Sequence, residues 1–252
     1  MSNRSRHILL GIISISNKVN ISNYICKDLY CHVKRVTKCT LSRIYGKSIH
    51  EDMSFYSIAP FIKEFYPEYY SIESYPAKDC VRIHKVAEEW GIFSNFAKTP
   101  LVVNGVTFSS AEELFQMMKF KDKGVLLNIK NGVTNNGKTC HQVKKTVKSY
   151  EKDFRRDDWG KMIVDAIKFC LQTKYDQSRE FREALEKSKG KFIVEDQTSF
   201  PKKTPDTWGV KQQGDCFVGP SLLGRLLMEL RDNGKLDYQL PTDALDFIEC
   251  LK

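Results

Sequence analysis

The stretch SAEELFQMMKF (residues 110–120) carries Glu112, Gln116 and Lys119 at i, i+4 and i+7, which sets a carboxylate, an amide and an ammonium along one line of a helix. Leu114, Phe115, Met117, Met118 and Phe120 spread apolar surface most of the way round it, the mark of a helix enclosed by protein. Such a stripe has two readings. It is either a reactive face, able to stabilise developing charge or to attack carbon, or a Glu to Lys network that only satisfies a buried helix. A second acid stands in DTWG (206–209). There Asp206 precedes Trp208 and Gly209 in a turn-forming stretch, and a loop can present one carboxylate and one aromatic plane to a ligand. An Asx-turn beside a core tryptophan has the same sequence.

Elements must position these groups. LVVNGVTF (101–108) places apolar runs on either side of Asn104-Gly105, the strongest two-residue hairpin signal, so a β-hairpin delivers the chain into the helix. Ser110 followed three residues later by Glu113 makes a capping box, which occupies Glu113 structurally and leaves Glu112 without a capping duty. A further helix is expected over 158–175, with Trp159, Met162, Ile163, Ala166, Ile167 and Cys170 on one face. A shorter helix follows from Ser178 to Gly190. A last one, PSLLGRLLMELRDNG, takes its proline in the first turn and stops at Gly234.

The 252 residues predict one good core with an appendage, or two small domains. No apolar run approaches the roughly 20 residues needed to span a bilayer. ILLGIISIS after Arg4 and Arg6 only imitates a secretory signal, because Ser-Asn-Lys follows and no small-residue cleavage site does. Eight scattered cysteines suit reduced thiols better than a disulfide framework, so the expected compartment is cytoplasmic. Charge is placed unevenly. Residues 1–50 hold nine of the 40 Lys and Arg but only Asp28 of the 31 Asp and Glu, a balance suited to a polyanion such as nucleic acid, with a merely solvated face as the alternative. Cys26, Cys31, His32 and Cys39 match none of the usual paired zinc spacings, and no metal is expected. Residues 53–80, rich in Tyr and Phe and cut by Pro60, Pro67 and Pro76, predict a packed connector of short elements.

WGIFSNFA (90–97), LVVNGVTF, AEELFQMMKF, RDDW (156–159), KFIVED (191–196), DTWG and LLGRLLMELR (222–231) occur in the order and spacing of the NADAR family, the YbiA-like N-glycosidases, which this chain resembles over about residues 81–235. The resemblance implies a compact, mainly α domain of the α+β kind with a small β-hairpin. Residues 1–80 stay an unassigned basic, aromatic-rich region, and 236–252 a tail or short helix. It further implies hydrolysis of the bond joining a ribose carbon to a base nitrogen, with no cofactor. The substrate class is an ADP-ribosyl or phosphoribosyl adduct of a base: ADP-ribose on guanine, or a phosphoribosylamino intermediate of riboflavin biosynthesis.

Breaking that bond builds positive charge on the sugar, and a carboxylate near the anomeric carbon stabilises it or activates water. Glu112 occupies the family's motif glutamate. Lys119 is then either a nucleophile, passing through a Schiff base with ring-opened ribose, or electrostatic support for a phosphate. Asp206 becomes the partner acid or a ribose-hydroxyl acceptor. Trp208 can stack on a base, worth roughly 1 to 3 kcal/mol in nucleic-acid proteins. Phe93, Ser94, Asn95 and Phe96 answer to the family's FSNF element, where Asn95 either bonds the ligand or fixes a turn. Gln116, Trp159, Gly209 and Ser221 complete the expected binding set, Trp159 as a pocket wall or as plain core.

Departures are visible too. Ser221 stands where the family commonly has Asn, and Ile83, His84 and Lys85 where it shows a Phe-Tyr pair. Between Phe120 and Arg156 the match is poor, and no phosphate-binding arginine can be placed. A non-catalytic module binding ADP-ribose or NAD would use the same pocket, and a nucleic-acid binder led by residues 1–50 is a third reading. Retention of Glu112, Lys119 and Asp206 together favours the enzyme.

Overall fold

A computed structural model describes residues 58–134, 140–202 and 204–252. The basic segment 1–50 and the Cys26, Cys31, His32, Cys39 group lie outside the described residues.

The expected hairpin is present as β3 (Leu101–Val103) and β4 (Val106–Phe108), paired antiparallel with Val103 opposite Val106. Asn104 and Gly105 have φ of 49° and 82°, the left-handed pair that a two-residue turn needs to follow strand twist. The chain then enters α2 (Ala111–Met117), whose N-cap Ser110 accepts a hydrogen bond from the Glu113 amide at 3.2 Å. Glu113 closes the start of the helix, accepting from the Ser109 amide at 2.6 Å and pairing with Lys130 at 3.0 Å. Every residue from Ala111 to Phe120 is buried, as the all-round apolar pattern requires.

The helix is shorter than the sequence pattern suggests. The Met118 amide makes the last helical bond, to Leu114, and the Phe120 amide turns back to Met117 at 3.1 Å. Lys119 therefore lies in a turn past the helix end. Its carbonyl accepts from the Arg156 amide at 2.9 Å, beside an isolated bridge of Phe120 with Arg155.

Around α2 pack α3 (Lys123–Thr134), α4 (Cys140–Phe154) and the long α5 (Trp159–Gln177). On α5 the expected face of Trp159, Met162, Ile163, Ala166, Ile167 and Cys170 is buried. α6 (Arg179–Lys187) is capped by Ser178, which accepts from the Phe181 amide at 3.2 Å. The turn-rich segment before residue 81 joins the same core. α1 (Ala59–Phe65) buries Ile62, and β1 (Glu73–Pro76) pairs antiparallel with β7 (Cys216–Gly219).

Two further pairings set the second half of the molecule. β2 (Cys80–Ile83) runs parallel to β5 (Phe192–Glu195), Ile83 opposite Glu195, and β6 (Lys211–Gln213) completes the sheet with β7. α7 (Leu222–Asn233) lies directly against β5, because Gly224 has no side chain: a Cβ there would stand 2.0 Å from the Ile193 carbonyl oxygen. Pro220 is not in its first turn. Ser221 takes a left-handed backbone (φ 53°, ψ 38°), so the helix begins only at Leu222, and the Leu222 and Leu223 amides are used by the Thr207 and Trp208 carbonyls. A 3-10 turn at Asp246–Leu251 returns Phe247 and Ile248 to the core.

Candidate active site

Glu112 sits in the first turn of α2, where aligned backbone amides favour a negative charge. Its own amide donates to the Asn95 carbonyl at 2.9 Å, which ties the helix start to the FSNF segment. One oxygen, Oε1, accepts from Gln116 Nε2 at 2.7 Å and lies 3.7 Å from Lys144 Nζ on α4. Two of the three stripe residues thus bond each other, one helical turn apart. Lys144 also lies over the Phe96 ring, 5.2 Å from its centre. Its ammonium is favoured above the usual lysine range, first by Glu112, against the cost of burial, and further by Glu195 and Asp206.

The opposing acids come from a strand end and a loop. Glu195 is the last residue of β5, and its carboxyl is pushed up to about 7. Burial is the main cause, with the negative charges of Asp206 and Glu112 adding to it while Lys144 and Gln197 oppose it. Among the described residues Glu195 Oε2 has no hydrogen-bond partner. Asp206 Oδ1 accepts from Gln197 Nε2 at 2.5 Å and from the Trp208 amide at 3.0 Å, while the Asp206 amide donates to Gln197 Oε1 at 2.9 Å. This is the Asx-turn geometry, with the carboxylate still exposed. Gly209 is needed for close approach: a Cβ would stand 2.5 Å from the Glu195 carbonyl oxygen. Trp208 meets the edge of Phe115 at 5.7 Å, and Phe115 packs on Trp159 at 5.2 Å.

Glu112, Gln116, Asn95, Phe96, Asp206, Trp208 and Gly209 therefore converge. Other expected residues sit elsewhere in the arrangement. Lys119 gives its ammonium to Glu151 on α4 at 2.6 Å, within 6 Å of the Phe115 and Trp159 ring centres, and its pKa is lowered by burial against the pull of Glu151 and Glu112. Trp159 is 2% exposed and packs as core. Phe93 is fully buried against Trp90 and Phe181. The Ser94 hydroxyl accepts from the Phe96 amide at 3.2 Å, and Ser221 is buried at the start of α7. The Arg156 side chain, gripped by Asp158 and Asp243, is 2% exposed and fixes the fold instead of facing a ligand.

Three participants were not singled out by sequence reasoning. Glu195 lies inside KFIVED, where an acid ending an apolar strand was the available signal. Lys144 and Glu151 lie in a poorly matched basic stretch in which nothing distinguishes them from solvated neighbours. Among the described residues no group of His, Cys, Asp and Glu could hold a metal ion, and no helix is long and apolar enough to cross a membrane.

The chain is similar to known proteins in sequence and fold. The NADAR domain model matches residues 83–233. N-glycosidase YbiA of Escherichia coli (strain K12) is 27% identical over 152 residues, spanning 60% of this chain and 86% of that protein. The same figures hold for N-glycosidase YbiA of Shigella boydii serotype 4. The NMR structure of the E. coli protein YbiA superposes with a TM-score of 0.50 at 26% identity, covering 61% of this chain and 83% of that one.

Proposed function

The chain belongs to the NADAR family, and from that premise we propose that it is an N-glycosidase hydrolysing the bond between a ribose anomeric carbon and a base nitrogen. One observation carries the reading. Glu112 and Glu195 share a cluster but not an environment: Glu112 is held by Lys144 and Gln116, while Glu195 is raised to about 7 and keeps one oxygen without a partner. Carboxyls kept apart in this way supply one base or electrostatic group and one proton donor near neutral pH.

In the proposed reaction Glu195 gives its proton to the departing base nitrogen. Glu112 stabilises the oxocarbenium-like ribose and orients a water that adds to the anomeric carbon, so that water's proton replaces the one lost. The Asp206 oxygen not used by Gln197 and Trp208 accepts a ribose hydroxyl, and Trp208 and Phe96 flank the base. The Lys119–Glu151 pair favours an electrostatic part for Lys119. The covalent route requires Glu151 to take the lysine proton first, across 2.6 Å.

The leading substrate is ADP-ribose attached to guanine, in a nucleotide or a nucleic acid. A phosphoribosylamino-pyrimidine of riboflavin biosynthesis is the second candidate, and a module that binds ADP-ribose or NAD without turnover is the reading to defeat. The test offers the full chain ADP-ribosylated guanosine nucleotide, the same adduct within DNA, and the pyrimidine intermediate, with and without borohydride. Mass spectrometry should show free base and free ADP-ribose from the guanine adducts, and no adduct on Lys119. Tight ADP-ribose binding with no cleavage of any substrate would defeat the enzyme reading.

A further inference from the structure

α5 buries a lysine that has no ion pair with a carboxylate among the described residues. Lys174 is 0% exposed, and its Nζ donates to the Ile92 carbonyl at 2.6 Å and the Ser94 carbonyl at 3.0 Å, with the Phe181 ring centre 4.7 Å away. Burial alone lowers its pKa, to about 7. Holding an amine in such a place costs stability, and an apolar side chain of similar size would fill the volume more cheaply. Of its two acceptors, Ile92 lies in the middle of the 3-10 turn Gly91–Phe93, and Ser94 is the C-cap of that turn and the second residue of FSNF. The next residue, Asn95, receives the Glu112 amide on its carbonyl at 2.9 Å and keeps a buried side-chain Oδ1 without a partner among the described residues.

We propose that Lys174 is a positioning residue that clamps the Ile92 and Ser94 carbonyls to α5 and so sets Asn95 against Glu112 in a ligand-ready arrangement, an inference that rests on the N-glycosidase reading of that site. The segment is pinned from two sides. Lys174 holds it from α5, and the Glu112 amide holds it from α2. Without the lysine the segment keeps the Glu112 amide and turn bonds such as Ser94 to Gly91 at 3.0 Å and Ala97 to Ser94 at 3.1 Å, but it loses its hold on α5 and samples other arrangements. A ligand that needs one arrangement then binds more weakly in proportion to the time that arrangement is populated.

Lys174→Met in the full chain removes the donors and keeps the stem. Amide hydrogen exchange should become about tenfold faster at residues 94–97 and at the Glu112 amide while α5 stays protected. Affinity for ADP-ribose, measured by calorimetry, should weaken about tenfold. The melting temperature should change little, because the loss of a buried amine offsets the Ile92 carbonyl left without its donor. A fall in melting temperature with faster exchange throughout the core, or unchanged exchange at 94–97, overturns the proposal. If the parent chain does not bind ADP-ribose, the functional reading fails by itself, and the exchange measurement still decides the role of Lys174.

Discussion

Two clusters of charge in this molecule are both built from carboxylates and basic side chains and behave oppositely. In the first, Arg156 is gripped by Asp158 at 2.5 Å and Asp243 at 2.7 Å, and Lys121 joins Asp243 at 2.5 Å. Two acids meet two bases. Bonds from Arg156 and Lys121 lower the carboxyl pKa values, that of Asp243 to about 2. In the second, Glu112, Glu195 and Asp206 share Lys144 as the cation that acts on Glu195, and Glu195 rises to about 7. A balanced cluster holds its charges fixed and fastens the C-terminal segment. An unbalanced one leaves a proton free to move, which is what chemistry needs.

Neutralising the acid that Lys144 and Gln116 serve should have the largest effect. Glu112→Gln keeps shape and the Gln116 contact but removes the charge facing the sugar. Turnover should fall about 100- to 1,000-fold with ligand affinity retained, as for the loss of one preorganised group. A folded variant with full activity would return Glu112 to the structural side of the comparison.

Glu195→Gln should come next. At pH 6 it removes the proton donor and lowers turnover by about 100-fold; above about pH 7 the difference narrows, because the parent carboxyl itself loses its proton there. Stability should move the other way. A carboxyl at about 7 when folded and 4.5 when exposed binds more protons in the native state between those values, so the parent loses stability as pH rises through that window. The variant should therefore melt higher than the parent at pH 8 and about equally at pH 4. An activity profile flat between pH 6 and 8 would remove Glu195 as the donor.

The smallest effect belongs to the balanced cluster. Asp243→Asn should leave turnover unchanged and lower the melting temperature modestly at pH 7. Asp243 titrates at about 2 folded and 3.8 unperturbed, so its contribution is present above about pH 4 and lost as pH falls through 2. Parent and variant should converge below that, and the exposed position together with added salt should shrink the difference further. A loss of turnover in Asp243→Asn would mean that the two clusters are coupled.

What the sequence determined is what local physics decides. The Asn104-Gly105 hairpin, the Ser110 cap, the buried face of α5 and the closure of α7 at Gly234 follow from φ preference, capping chemistry and periodicity, and motif order was enough to suggest the family. Spacing also put Glu112 and Gln116 together, because i and i+4 meet on any helix. It failed at Lys119. An i+7 residue shares the face only on a continuing helix, but the chain turns after Met118, where the Arg156 amide claims the Lys119 carbonyl and Glu151 claims the amine. It failed again at Pro220, since the start of α7 is set by Thr207 and Trp208 carbonyls from a distant loop. Above all, the environment of Glu195 was decided by tertiary structure alone. Parallel pairing of β5 with β2, the close approach of Gly209 and the reach of Lys144 from α4 bring together residues scattered between Glu112 and Asp206, and a carboxyl's proton affinity depends on which charges surround it in space.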